Sequence, residues 1–446
     1  MSKAMSIEPR AIEVPQIQPP AVPTTKEALN IPSNVLEELL QKHLLATPRI
    51  DIIQLSKKLG IVTHIVEDLI QTLRQKAMIE IYQPESTQAN AQSIRKNVLY
   101  ALSTKGAELA QYLVKMDTYL GPVPVPIEEY ADVVNKQDIR EAGTISRQTL
   151  EMAMFDVSGA EQLISQLGPA LNSGQVLLLY GDSGTGKSYV SKKLSNALKN
   201  TIFIPYSIYA EGNIIKLFSV LHHKPFSREE SSVPLQLVEH HDRRWLLCHR
   251  PNILVGGELT MDMLEVNQDS ITKSLQAPLQ MQANNGILII DDLGRQPMPV
   301  QTLLNRWIVP METKEDHFAL PNGQQITVPF KVTLIFSSNL SPEDIADPAF
   351  LRRLGYKIQF ESLTESDYRA LWQETSLRLE LTLDGDYFNK IRFLHRESSF
   401  DYYPYLPRDI LNICRDIINF EQLDPIITSS LLVQAWSLYF AADSKG

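Results

Sequence analysis

Eight consecutive residues, Gly181-Asp182-Ser183-Gly184-Thr185-Gly186-Lys187-Ser188, carry the strongest chemical signal in the chain. Their spacing fits G-x-x-x-x-G-K-[ST]. The glycines let the backbone curl so that successive N–H groups point inward and form a nest for phosphate oxygens. An apolar run, residues 176–180, precedes the loop, and a helical stretch, residues 187–198, follows it. The positive N-terminal end of that helix adds to the attraction for anions. Lys187 is placed to reach β- and γ-phosphates, and the Ser188 hydroxyl to ligate Mg2+. ATP and Mg2+ are the ligands this chemistry implies. Gly181, Ser183, Gly184, Thr185, Gly186, Lys187, Ser188 and Tyr189 form the expected lining.

Such a site needs a second carboxylate for the metal. Residues 287–290 are four aliphatic residues, and Asp291 and Asp292 follow them directly. An apolar strand that ends in acid delivers its carboxylate to the C-terminal edge of a parallel sheet, beside a phosphate loop. Asp291 is the expected Mg2+ partner, and Asp292 the residue that polarises the attacking water. An Asp-Asp pair is one methylene shorter at its second position than the commoner Asp-Glu, so slow hydrolysis is one expected consequence.

Several elements must position these residues. The runs 175–181, 201–207, 286–291, 331–338 and 356–360 are short, apolar and rich in β-formers, with helical or inserted stretches between them. That pattern predicts an α/β domain, residues 128–362, whose parallel sheet is buried on both faces. Residues 363–446 read as helices alone and predict a helical lid. Residues 33–120 read as three short helices, two strand-like runs (78–83 and 97–103) and a closing helix, an order that resembles a winged helix. The predicted third helix, residues 63–77, is capped by Thr63 and sets Ile65, Leu69, Ile70 and Leu73 on one face. Alternating prolines from Pro122 to Pro126 predict a semi-rigid spacer over 121–127. The proline-rich residues 1–32 bury too little apolar surface to offset their ordering entropy, and are expected to be a disordered tail.

Over residues 140–440 the order of these features resembles the AAA+ ATPase superfamily. The resemblance assigns further roles. Asn339, at the end of Phe336-Ser337-Ser338-Asn339, matches sensor 1, which orients the lytic water. Asp347-Pro348-Ala349-Phe350-Leu351-Arg352-Arg353 is similar to the segment that carries the arginine finger, so Arg352 or Arg353 would reach a neighbouring subunit's nucleotide. Arg408, in Leu406-Pro407-Arg408-Asp409, matches sensor 2, a γ-phosphate contact from the same subunit. The stretch before Asp291 resembles MoxR-like members, as does a hairpin turned at Asn322-Gly323. The resemblance implies ATP hydrolysis by a ring of six subunits, acting as a chaperone-like remodelling enzyme on a protein client. The region between the second and third predicted strands, about 80 residues, is read as an insert that could face a central pore.

Composition narrows the alternatives. A chain of 446 residues suggests two to four domains. Its 43% hydrophobic and 21% charged residues are ordinary for a soluble globular protein. A net charge of -10 excludes a generic binder of polyanions. Over residues 34–118, ten Lys/Arg against nine Asp/Glu leave a net of about +1, which favours protein docking over DNA for the front domain. DNA contact through Arg74, Lys76, Arg95 and Lys96 stays open. No run reaches the roughly 18 apolar residues of a membrane span, and no signal peptide is evident, so a cytoplasmic location without membrane insertion is expected. Cys248 and Cys414 are expected to be free thiols. His222-His223 and His240-His241 lack any accompanying frame of zinc ligands and are set aside as metal sites. Three functions therefore stand: a remodelling ATPase, a DNA-directed ATPase, and a slow nucleotide-gated scaffold.

Overall fold

The computed structural model of the chain describes residues 18–82, 98–138, 140, 145–198, 200–226 and 241–440. Expectations that fall on residues 1–17, on the polar stretch 83–97 (Arg95 and Lys96 included) and on His240 lie outside the described residues.

The central sheet has five strands: β1 (Leu177–Tyr180), β2 (Asn252–Val255), β3 (Ile287–Ile290), β4 (Thr333–Ser338) and β5 (Tyr356–Gln359). They lie in the order β2-β3-β4-β1-β5, and every neighbouring pair is parallel. Successive side chains on a strand point to opposite faces, and both faces are covered. Leu178, Leu288, Ile290, Leu334 and Phe336 pack against Leu303, Leu304 and Trp307 of the helix Val300–Thr313. Leu177, Leu179, Ile287, Ile289, Ile335 and Ile358 pack on the other face against Leu150, Leu167, Leu171, Val190 and Leu194. Both layers being helical is why β3 is apolar without alternation. The core is thus an α/β P-loop fold, followed by a helical C-terminal region.

One expected core strand is replaced. The run Thr201–Pro205 does not join the parallel sheet, but pairs antiparallel with Trp245–His249. The chain after it turns back through Ser207–Ala210 and Asn213–Lys216, an antiparallel hairpin with Glu211 and Gly212 at positive φ. The fifth core strand is instead Asn252–Val255, which the sequence pattern assigns to the insert. The insertion therefore lies between the phosphate-loop helix and β2.

Two strands of that insertion join segments from before β1 and after β2 in a second sheet, in the order Asn267–Gln268, Leu275–Gln276, Asn213–Lys216, Ser207–Ala210 and Val125–Pro126. Its core takes Tyr130 and Val134 from the helix Ile127–Lys136, together with Trp245, Ile326 and Val328. The hairpin Glu315–Ala319/Gln325–Pro329 turns through Asn322 and Gly323 (φ 83°). Its tip grips the insertion, where Asn322 Nδ2 donates to Glu211 O at 3.0 Å and Gln324 Nε2 to Glu211 Oε2 at 2.8 Å.

Residues 121–127 are not a free spacer. Val123 and Val125 are buried, Val123 N donates to Leu59 O at 2.8 Å, and Val125–Pro126 pairs with Ile208–Tyr209. The valines face inward, while the intervening prolines occupy positions where no N–H is needed. The end of the expected tail is packed as well. Leu29 and Ile31 are buried, and Pro20 O accepts from Asp242 N at 3.1 Å. The front region runs through Ser33–Ala46, Ile52–Leu59, Thr63–Gln75 and Thr104–Met116, with an antiparallel sheet of Ile50–Asp51, Leu99–Leu102 and Ile79–Tyr82. Ile65, Leu69, Ile70 and Leu73 are buried, as their spacing predicted. Thr63 is the first helical residue rather than its cap, which is Val62.

Arg244 locks this junction. Its guanidinium is 0% exposed and holds Asp242 at 2.7 Å and Glu129 at 3.0 Å. Removing one partner of a buried ion pair leaves an uncompensated charge, so Arg244→Ala is expected to cost about 3–5 kcal/mol. Chemical denaturation monitored by tryptophan fluorescence checks this, since Trp245 is adjacent. A loss below about 1 kcal/mol would mean that the two carboxylates find other partners.

The C-terminal region packs Glu365–Arg378, Tyr387–Ser398, Leu406–Glu421 and Ser429–Tyr439 around its own core. It also holds a two-strand parallel bridge, Thr382–Leu383 with Ile426–Ile427, which reading helices alone did not predict. Among the described residues no helix is long and apolar enough to cross a membrane.

Candidate functional site

The phosphate loop leaves β1 at Tyr180 and enters the helix Lys187–Leu194. Gly181, Gly184 and Gly186 all have positive φ (135°, 85° and 94°). Two of them are also spatially required. A Cβ on Gly181 would collide with the Phe360 carbonyl oxygen, and one on Gly184 with the Tyr405 ring. Gly181→Ala therefore faces both strain and a clash with backbone, which cannot rotate away. A loss of about 2–4 kcal/mol is expected, read by thermal unfolding. Wild-type stability would show that the loop relaxes without Gly181.

Lys187 is only 6% exposed. Its ammonium donates to Gly181 O at 2.7 Å and Asp182 O at 2.8 Å, folding the loop around itself. Burial pushes the ammonium below the ordinary lysine range, and the Asp291, Asp292 and Asp182 carboxylates pull it back up. The acidic pair that follows β3 stands at the same end of the sheet as the loop, because β3, β4 and β1 run parallel side by side. Ser188 is half-buried in the first turn of the helix, and Ser183 is exposed at the loop's tip. Thr185 is buried, its hydroxyl donating to Asp182 O at 2.8 Å. Tyr189 turns aside, and its hydroxyl donates to Asp156 Oδ2 at 2.6 Å, an oxygen it shares with Lys193.

Asp291 and Asp292 leave the end of β3, Asp292 with a left-handed φ of 49°. Asn339, just past β4, donates from Nδ2 to Asp292 Oδ1 at 3.3 Å. The phosphate loop, Asp291, Asp292 and Asn339 thus meet at the C-terminal edge of the sheet, where parallel α/β folds bind ligands. The donor set suits a magnesium triphosphate. It offers hard oxygen ligands from Ser188, Asp291 and Asp292, and an ammonium with a glycine nest for the phosphates.

Arg352, Arg353 and Arg408 are not gathered there. Arg352 and Arg353 follow the short helix Pro348–Leu351 and precede β5, at the opposite edge of the sheet. Arg353 holds Glu312 at 2.5 Å, while Arg352 is exposed. Arg408, 68% exposed, bonds its neighbour Asp409 at 2.9 Å.

The sequence reading missed two sets of residues. Gln296 pins the acidic turn, with Nε2 donating to Asp291 O at 3.1 Å and Gly256 O at 3.2 Å while Oε1 accepts from Gly294 N. No motif marks it. Tyr403, Pro404 and Tyr405 bring the lid onto the phosphate loop. Tyr403 donates to Asp182 Oδ2 at 3.1 Å, Tyr405 lies against Gly184, and Pro404 lies beside Gly186. The aromatic run Tyr402-Tyr403-Pro404-Tyr405, directly before the Arg408 helix, was the available signal. His222 and His223 both bond Gln282, at 2.6 and 2.8 Å.

A family model described as "Domain of unknown function (DUF8689)" matches residues 364–438, the helical C-terminal region. No curated protein matches the chain. Among solved structures, a point mutant of Thermotoga maritima RuvB is 13% identical with a TM-score of 0.39, covering 64% of this chain and 72% of that one. NtrX from Brucella abortus is 13% identical with a TM-score of 0.40, covering 64% and 56%. The BchI–BchD complex of magnesium chelatase gives 17%, 0.31, 64% and 93%. The fold assignment rests on the chain's own strand order and register.

Proposed function

We propose that this chain is an ATP-binding and ATP-hydrolysing enzyme of the AAA+ kind, working as a ring oligomer, a hexamer, on a protein client. The observation that carries this reading is the meeting of Lys187, Asp291, Asp292 and Asn339 at one sheet edge. Main-chain amides of Gly181–Lys187 cradle the phosphates, and Lys187 leaves its carbonyl partners for β- and γ-oxygens. Ser188 and Asp291 would hold Mg2+, which would neutralise charge on the phosphates when bound. Asp292 accepts hydrogen from the attacking water, and Asn339 orients that water and Asp292 together. Arg408 is assigned to the γ-phosphate from the same subunit. Arg352 or Arg353, at the far edge, is assigned to a neighbour's nucleotide.

The winged-helix-like front domain, residues 33–120, is assigned to protein docking. Its near-neutral charge supports protein over DNA, and a cytoplasmic setting belongs to the same reading. ATPase activity against protein concentration tests the assembly. The rate per chain is expected to rise with concentration, and Arg352→Ala or Arg353→Ala to lower it about 1000-fold, as loss of an arginine finger does. A rate independent of concentration and untouched by both arginine changes would remove the ring from the account. Salt-sensitive capture of duplex DNA by the full chain would move the front domain to the DNA reading.

A further inference from the structure

The acidic turn after β3 is held in a conformation that its sequence disfavours. Asp292 has a left-handed φ of 49°. That region crowds the Cβ of an L-residue, and a residue stays there only where its surroundings over-determine it. Main-chain bonds secure the residues on either side. Asp291 N donates to Val255 O of β2, and Leu293 N to Ser337 O of β4, both at 2.8 Å. Arg295 N closes the turn on Asp292 O at 3.0 Å.

The side chain of Gln296 supplies the rest. It is 7% exposed, and its hydrogen bonds all go to main chain. Nε2 donates to Asp291 O at 3.1 Å and reaches Asp292 O at 3.4 Å. These two carbonyls belong to the peptide planes that flank the Asp292 Cα, and the rotations of those planes are its φ and ψ. One amide group that reaches both carbonyls holds them on the same side and restricts both rotations together. The same Nε2 donates to Gly256 O, just past the end of β2, at 3.2 Å, while Oε1 accepts from Gly294 N at 2.9 Å. The turn is thereby tied to the edge strand of the sheet. None of these bonds goes to a carboxylate oxygen, so the Asp292 carboxylate stays available to Asn339 Nδ2 at 3.3 Å.

We propose that Gln296 is a positioning residue for ATP hydrolysis. Its carboxamide keeps Asp292 in the left-handed conformer that aims the carboxylate at the attacking water, and anchors that conformer to the end of β2. This rests on the reading of Asp292 as the base, and adds what fixes the direction of that base. Without the carboxamide, Asp292 relaxes out of the left-handed region, and rotation about φ swings its carboxylate away from the water. A misplacement of about 1 Å costs on the order of 100-fold in rate. Asp291 keeps its own bond to Val255 O, so the metal side of the site is spared.

Steady-state kinetics of full-length variants test it. Gln296→Met keeps the length of the side chain and removes both polar ends. It is expected to lower kcat about 10- to 100-fold. KM and calorimetric affinity for Mg-ATP are expected to stay within about two-fold of wild type, as for an interaction that serves the transition state alone. Gln296→Glu is isosteric but lacks the donor at neutral pH. It is expected to behave alike, and it carries the test if the methionine variant does not fold, which thermal unfolding reads. A double-mutant cycle with Asp292→Asn then asks through which residue Gln296 acts. In the Asp292→Asn background either Gln296 change is expected to cost less than about three-fold, because groups that act as a unit are not additive. Equal costs in both backgrounds overturn the proposal. So does wild-type kcat in a folded Gln296 variant, or a loss that falls on KM with kcat kept. Failure of the base reading itself shows separately, as wild-type turnover by Asp292→Asn with Gln296 intact.

Discussion

Replacing Lys187 by alanine is expected to lower ATP turnover by about three orders of magnitude. The ammonium is the one cation buried within the loop, and it faces Asp291, Asp292 and Asp182 at the site's rim. Bound phosphate would meet three carboxylates without it. Loss of a single preorganised donor costs about 100- to 1000-fold in rate, and ground-state binding of the triphosphate falls as well. Stability should change little by comparison. The side chain now satisfies the carbonyls of Gly181 and Asp182, and their release to water at a loop costs about 1–2 kcal/mol. A coupled assay beside a thermal melt separates the two effects. Full turnover with an unchanged melt would mean that the loop does not hold the nucleotide.

Asp292→Asn is expected to divide hydrolysis from binding. Asparagine keeps the shape, accepts from Asn339 Nδ2 through its own carbonyl, and tolerates the left-handed φ of 49° at this position. It cannot take up a proton from water. Turnover is expected to fall about 100- to 10,000-fold, the range for loss of a general base, with Mg-ATP affinity equal or tighter. The variant should then hold its client, and a pull-down with it would name the partner. Asp291→Asn should instead weaken the dependence on magnesium. If wild-type turnover is already as slow as that of Asp292→Asn, the chain is a nucleotide-gated scaffold, and Asp292 is one methylene too short to serve as the base.

Local chemistry was legible in the sequence wherever a motif fixes both residue type and backbone geometry. Gly181, Gly184 and Gly186 take the positive φ values their motif demands. Asp291 and Asp292 stand at the end of a buried strand, as an apolar run ending in acid required. Strand membership was less legible. Thr201–Pro205 and Asn252–Val255 are equally apolar, and which one joins the sheet depends on partners far along the chain. The prolines at 122, 124 and 126 suggested a spacer, yet alternation with Val123 and Val125 also suits a buried strand lacking donors. Contacts between regions left no local trace. Tyr403 meets Asp182 across 221 residues of sequence, and a cavity around Lys314 draws on four separate stretches of chain.

Calorimetric titration of the full-length chain with Mg-ATP bears most directly on the whole account. Saturable binding of one nucleotide per chain, abolished in Lys187→Ala and weakened when magnesium is chelated, is the predicted result. Absence of any heat of binding by a folded wild-type chain, at nucleotide concentrations up to the millimolar range typical of cells, would contradict it.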